Sequence, residues 1–384
     1  MRRLAQLSLL LMFCCAYAVQ PQAAPASEAK LLGATLSDPG YIEEDPILAK
    51  LVGKPAPALT LKSIDGKSIN LADLYGKRPV YLKLWATYCI PCRVQMPGLR
   101  KIFASYGNEM AVIAVNAGVF DDIGKVRQFA QDFDLKMPVA IDDGRLGAWI
   151  GMKATPVHLV VGRDGRVLFA GHQDGPRLDT AIKQALASKA VSGGVATIRL
   201  AELVTLKPGD AIPPIELQSS DGKSVTLPHG PSSRPRAIYF SATWCESYVK
   251  STQPGEAAKC KEGREQVDKL AMGQSIEWFG VMSHMWTTPK ALANYESKMK
   301  PPFPLALDPS GDAFRTLGVK RFPARRPHRY PRTPHQAGRG RSGEIRGRDF
   351  VSTSEQISAG SVHTEFILRP RFARTGAMTC CVIG

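Results

Sequence analysis

The sequence predicts an α/β protein: a central mixed sheet with helices on both faces, present in two tandem copies of which the second is incomplete. Three observations lead there. Strand-like and helix-like runs alternate through the first half. The chain then repeats itself, because Gly53, Pro57, Leu61 and Asp65-Gly66-Lys67-Ser68 return 156 positions later as Gly209, Pro213, Leu217 and Asp221-Gly222-Lys223-Ser224. The same offset carries Arg78-Pro79 onto Arg234-Pro235 and Ala86-Thr87-Tyr88-Cys89 onto Ala242-Thr243-Trp244-Cys245. At an offset of 167, Gly151-Met152-Lys153-Ala154-Thr155-Pro156 matches Gly318-Val319-Lys320-Arg321-Phe322-Pro323. Finally, the apolar pattern stops after Pro323, where the first copy continues.

The elements of the first copy follow in order. Val80–Leu84 is a β-rich run ending at Trp85, and Met96, Leu99 and Ile102 give the next segment helical spacing. Ala111–Val115 reads as a second buried strand, followed by a helix across Val126, Phe129 and Phe133. Val157–Val161 and Arg166–Phe169 flank Arg163-Asp164-Gly165, a hairpin turn. Leu178–Leu186 closes the copy with a helix.

Residues 1–24 read as an export signal, with Arg2 and Arg3 ahead of the apolar run Leu7–Ala18 and a small-x-small cleavage site at Ala16-Tyr17-Ala18. Residues 25–50 form an N-terminal extension, 51–189 the first copy, 190–206 a linker with Ser192-Gly193-Gly194, and 207–323 the degenerate second copy. Residues 324–384 are an Arg-rich tail, expected to be disordered. The tail holds 11 Arg, no Lys and four acids, so it supplies +7 of the net charge of +16. Basicity concentrated in this way argues against a nucleic-acid partner. Out-of-frame translation after Pro323 would produce the switch from Lys to Arg, and a basic tail for an acidic surface is the alternative. Prolines at 327, 331 and 334 speak against a central strand there, so the second copy is expected to lack two strands. A 44% hydrophobic and 22% charged composition excludes wholesale disorder, and no run beyond the N-terminus suits a polytopic membrane protein.

The chemistry points to Trp85-Ala86-Thr87-Tyr88-Cys89-Ile90-Pro91-Cys92. A Cys-x-x-Cys between strand and helix places the first sulfur at a helix start, where unpaired N–H groups favour a thiolate. The second sulfur lies about one turn on, close enough to close a disulfide and release a bound partner. Pro91 stiffens the turn where its missing N–H costs little. Thr155-Pro156 fits a cis-proline loop beside Cys89. A structural zinc site would need a second pair, and a c-type haem would need His where Arg93 stands. In the second copy Tyr248 replaces the resolving cysteine, so Cys245 either bridges to Cys260, by way of a turn at Pro254-Gly255, or stays a free thiol.

On the W-A-T-x-C-x-P-C motif, Pro97, the Gly-x-x-x-Thr-Pro segment and the Asp-Gly-Lys leader, the chain resembles the TlpA/ResA branch of the thioredoxin-like periplasmic proteins. The resemblance covers residues 51–187 fully and 206–323 in part. It implies a three-layer α/β/α thioredoxin-like fold and thiol–disulfide exchange, with reduction favoured. Cys89 would attack and Cys92 resolve, with Trp85, Pro91, Thr155, Pro156, Lys83 and Gln95 in support. It further implies a periplasmic setting, protein thiols or disulfides of the cell envelope as partners, and a membrane electron donor. No diffusible cofactor and no metal are implied, because the sulfurs carry the electrons; a binding or scaffold protein with a vestigial redox site is the competing reading. Two departures stand out. Family members often carry a carboxylate where this chain has Gln95, and thioredoxins an Asp where it has Lys83. Lys83 either faces the dithiol, favouring the Cys89 thiolate by its charge, or snorkels out at a strand edge.

Overall fold

A computed structural model describes residues 45–189, 194–321 and 324–328. The expected export signal, the extension before residue 45 and the tail after residue 328 lie outside the described residues. The description begins at Asp45, whose carboxylate caps the short helix α1 (Pro46–Ala49) by accepting from the N–H groups of Ile47 and Leu48. There follow β1 (Ala56–Pro57), β2 (Thr60–Ser63), β3 (Ser68–Asn70) and β4 (Val80–Trp85). Next come α2 (Ile90–Val94), α3 (Met96–Tyr106), β5 (Ala111–Asn116), α4 (Ile123–Asp132), β6 (Val139–Ile141) and α5 (Arg145–Ile150). The hairpin β7 (Val157–Val161) and β8 (Val167–Gly171) leads into α6 (Pro176–Ala187).

These strands make one seven-stranded mixed sheet in the order β3-β2-β6-β5-β4-β7-β8. β4 sits between β5, which is parallel to it, and β7, which is antiparallel. All six of its residues are buried, which explains why Val80–Trp85 reads as a continuous apolar run rather than an alternating one: helices cover both faces. The helix expected after Cys89 is split at Gln95, because Pro97 has no N–H to give the Arg93 carbonyl one turn back. Residues 60–63, 68–70 and 139–141 add strands too short to stand out as a pattern.

The connecting stretch is tied down. Its strand β9 (Thr197–Ile198) pairs in parallel with β1, and the Ala196 N–H donates to the Asp164 carbonyl. Beyond it come β10 (Glu216–Gln218), β11 (Ser224–Thr226), β12 (Arg236–Ser241), α7 (Pro254–Met272) and β13 (Glu277–Ser283). The chain continues through α8 (Pro289–Met299), β14 (Leu305–Asp308), α9 (Asp312–Thr316) and β15 (Ala324–His328). The second sheet has the order β11-β10-β14-β13-β12-β15, the neighbour order of the first sheet without its last strand.

β15 corrects two expectations. Residues 324–328 are not featureless tail but a strand antiparallel to β12, so one strand of the hairpin is missing from the described residues rather than two. Pro327 is tolerated because, among the described residues, β15 lies at the sheet edge, where one side of the strand needs no ladder partner.

At the β7–β8 turn, Gly165 has φ +79°, and a Cβ added there would stand 2.3 Å from the Ala196 carbonyl oxygen. Gly165→Ala therefore meets both a left-handed backbone and the linker's main chain. It is expected to lower stability by about 1–3 kcal/mol in urea unfolding. An unchanged midpoint would show that residue 196 does not rest on the turn.

Candidate functional site

Strand β4 delivers the chain to the site. After Trp85 the backbone turns through Ala86-Thr87-Tyr88 and enters α2 with Cys89 as its N-cap. The Cys89 sulfur accepts from the Cys92 N–H at 3.1 Å, which satisfies a donor that has no partner within the helix. Pro91 lies in the first turn, where its fixed φ suits the helix and no N–H is missed. Cys89 and Cys92 form a disulfide with a Cα–Cα distance of 5.2 Å. The Thr155–Pro156 peptide is cis, and the Thr155 carbonyl lies 3.4 Å from the Cys89 sulfur. Cys89, Pro91, Cys92, Thr155 and Pro156 thus come together from two loops on either side of β4 and β7. Trp85 takes a different part: its ring stacks on Phe129 of α4, with centroids 4.4 Å apart, and anchors that helix beneath the loop.

Of the two placements expected for Lys83, the structure removes the one at a strand edge. Lys83 stands in the middle of the central strand, buried, so it cannot snorkel from an edge, and its ammonium is directed to Gln95. The Lys83 Nζ donates to the Gln95 Oε1 at 2.7 Å. The same oxygen accepts from the His158 Nε2 at 2.9 Å, while the Tyr81 hydroxyl meets the His158 Nδ1 at 2.7 Å. The amide nitrogen of Gln95 donates to the His172 carbonyl at 3.1 Å, and the His172 Nδ1 donates to the carbonyl of Pro156 at 2.6 Å. His172 also faces the Asp45 carboxylate, 3.3 Å from its Nε2. A buried polar network therefore runs from the central strand, through the helix pair that follows the cysteines, to the cis-proline. Burial pushes the Lys83 amine down to about 7, and burial, then the nearby Lys83 charge, holds His158 well below its ordinary range.

Sequence reading assigns no role to His158 and His172, as single residues without a partner signature, and does not single out Asp121. The histidines carry no spacing signature, and they meet Gln95 only because β7 pairs with β4 and β8 follows β7. Asp121 holds the leading loop: its carboxylate accepts from the Thr87 N–H at 2.8 Å, from the Thr87 hydroxyl, and from the Asn116 amide at 2.7 Å. Burial raises its pKa. No sequence signal distinguishes it from other loop acids.

Cys245 and Cys260 are bonded, with a Cα–Cα distance of 5.9 Å. The chain turns back through a 3-10 turn at Tyr248–Ser251, before Pro254 opens α7, rather than at Pro254-Gly255 itself. Met282 and Met285 are buried in the core, and among the described residues no group of three His, Cys, Asp or Glu could hold a metal.

Comparison with known proteins bears directly on this arrangement. Residues 52–170 match the AhpC/TSA family. The chain is 36% identical over 114 residues to the thioredoxin-like protein YneN of Bacillus subtilis, covering 29% of this chain and 66% of that protein. It is 33% identical over 137 residues to the thiol-disulfide oxidoreductase ResA of Bacillus thuringiensis, covering 35% of this chain and 78% of that protein. The chain belongs to the thioredoxin-like thiol–disulfide oxidoreductases. Among solved structures, a thiol:disulfide interchange protein of the thioredoxin family from Chlorobium tepidum is 21% identical, with a TM-score of 0.32, covering 35% of this chain and 97% of that one. The activity of this oxidoreductase is thiol–disulfide exchange, and Cys89–Cys92 is the pair that stands where the motif requires it.

The buried lysine of this oxidoreductase gives a pH-dependent stability with a definite sign. Its amine is held at about 7 when folded, against 10.5 as its ordinary value. Between those values the unfolded chain binds more protons, so this contribution makes stability rise with pH. Below about pH 7 both states are protonated and the cost is full. Lys83→Met removes it. Relative to the variant, the parent is expected to gain on the order of a few kcal/mol between pH 7 and pH 10 in urea unfolding. A gap that does not change with pH would mean that the amine reaches solvent.

Proposed function

We propose that the protein reduces disulfide bonds of exported proteins in the bacterial cell envelope. Cys89 would attack and Cys92 resolve, within the first of two related domains. The observation that carries the reading is the meeting of the Cys89 sulfur with the Thr155 carbonyl at the cis-proline. A target chain laid along that loop would bring its own sulfur up to Cys89. The common strand order of the two sheets supports descent of the second domain from the same unit, with Tyr248 in the resolving position. The export-signal pattern at residues 1–24 supports the setting, as do two disulfides in one chain.

In the reducing direction the protein starts as a dithiol. The Cys89 thiolate, favoured by the Cys92 N–H that points at it, attacks one sulfur of the target disulfide. A mixed disulfide forms, and the other target sulfur leaves as a thiolate and takes a proton. The Cys92 thiolate then attacks the Cys89 sulfur, the target departs as a dithiol, and the protein is left as the Cys89–Cys92 disulfide. Two electrons have passed to the target, so a dithiol or a membrane reductant must restore the pair. The electrons reside on sulfur throughout, and no diffusible cofactor enters. Gln95 and the histidines keep the helix and the cis-proline loop in fixed relation while the sulfurs change partners.

Cys92→Ser is expected to accumulate mixed disulfides with cell-envelope proteins, visible as adducts that a reductant dissolves. Cys89→Ser should form none and should bring reduction of a protein disulfide such as insulin's to background. Adducts through Cys92 in the Cys89→Ser protein would reverse the assignment of roles.

A further inference from the structure

Both cysteines of the catalytic pair have no exposed surface. Exchange requires an incoming sulfur to approach nearly in line with the bond it breaks, so a pair buried in this way cannot react with a protein until something moves. The second domain packs against both chain neighbours of Cys89 and against the loop before Thr155. Tyr88, immediately before Cys89, stacks on its repeat counterpart Trp244, with centroids 5.2 Å apart, and meets the edge of Trp286 at 5.5 Å. The Ile90 N–H, immediately after Cys89, donates to the Tyr248 hydroxyl at 3.2 Å. The Thr252 hydroxyl donates to the Tyr88 carbonyl at 3.4 Å, and the Gln253 amide to the Thr87 hydroxyl at 2.6 Å. On the other rim, the Trp286 N–H donates to the Lys153 carbonyl at 2.8 Å, two residues before Thr155. That carbonyl lies on the loop where a target backbone would dock.

The hydrogen bonds and the ion pair on the cysteine side share one origin, while the aromatic contacts come from Trp244 and Trp286 outside it. Tyr248, Thr252, Gln253 and Glu256 all fall between Cys245 and Cys260, inside the loop that the second disulfide closes. Glu256 pairs with Lys125 of the first domain at 3.0 Å, with both side chains mostly covered. Lys125 also donates to Gln253 at 3.1 Å. A cross-link that closes 15 residues removes alternative conformations from that segment and keeps its contact groups in one arrangement.

We propose that the second domain is a built-in cap on Cys89–Cys92, stapled in its closing shape by Cys245–Cys260, and that exchange with a protein requires its displacement. This rests on the reading of Cys89–Cys92 as the exchanging pair. The cap has lost its own resolving cysteine and uses the replacement, Tyr248, to satisfy a helix N–H of the active pair. A target must offer contacts that compete with an aromatic cluster and a main-chain donor, so access becomes selective.

The test measures the rate at which dithiothreitol reduces Cys89–Cys92 in the full chain, read by alkylation and mass of the peptide holding both cysteines. Glu256→Lys and Lys125→Glu each place like charges across the rim and are expected to speed reduction about fivefold or more. The double exchange restores the opposite charges and should return the rate toward the parent's. Tyr248→Phe combined with Gln253→Ala, which removes three rim hydrogen bonds, should also accelerate it. Parent-like rates in all these variants would overturn the cap, and so would an acceleration that the double exchange fails to reverse, since that marks general loosening. Because the readout is chemical, the cap and the target reading fail separately. Faster reduction in the variants with no activity on protein disulfides leaves the cap standing and removes the proposed targets.

Discussion

Everything near the cysteines depends on one buried strand. Val80–Trp85 is hydrogen-bonded on both sides and covered on both faces, so its direction sets where the chain emerges and where α2 begins. A strand held in that way transmits little of the chain's mobility to the loop that follows it. The Thr87 end of that loop is tied again by Asp121, so Cys89 enters the helix from a position fixed by two independent anchors.

Such a strand has no natural place for a lysine. Lys83 remains there because Gln95 supplies an acceptor at hydrogen-bond distance and because burial lets the amine give up its proton near neutral pH. A carboxylate at residue 95 would have formed a buried ion pair; the neutral amide makes hydrogen bonds with no net charge to desolvate. Its second function follows from geometry. Gln95 sits at the junction of the two helices after the cysteines and reaches both β7, through His158, and the residue after β8, through the His172 carbonyl. His172 then holds the Pro156 carbonyl, so the helix bearing Cys92 and the loop bearing the cis-proline are joined through a polar chain in an otherwise apolar interior.

The two sheets share a neighbour order, and only the first has a Cys-x-x-Cys after its central strand. The second sheet preserves the neighbour order of the first, and Trp244 preserves the position of Tyr88, so the two equivalent rings stack where the faces meet. In the second domain Cys245 is bonded to Cys260 on α7, and the segment between them carries contacts to the first domain. The larger apolar core runs through both domains and includes all four of these cysteines.

The sequence by itself determined the fold class, and it displayed the internal similarity and the Cys-x-x-Cys pair. Those signals are local: a continuous apolar run for a doubly covered strand, a Cys-x-x-Cys at its end, a Thr-Pro ahead of another strand, and an identical offset across many positions. Only the tertiary structure decided what Lys83, Gln95, His158 and His172 do, because their partners lie 12 to 127 positions away and meet through packing that no local pattern encodes. The same holds for the edge strand at residues 324–328, where the prolines read correctly as hostile to a central strand but said nothing of an edge. It holds most for the packing of the second domain against the chain neighbours of Cys89. Contact of a distant segment with a site is a property of packed surfaces, and those surfaces exist only after the chain has folded.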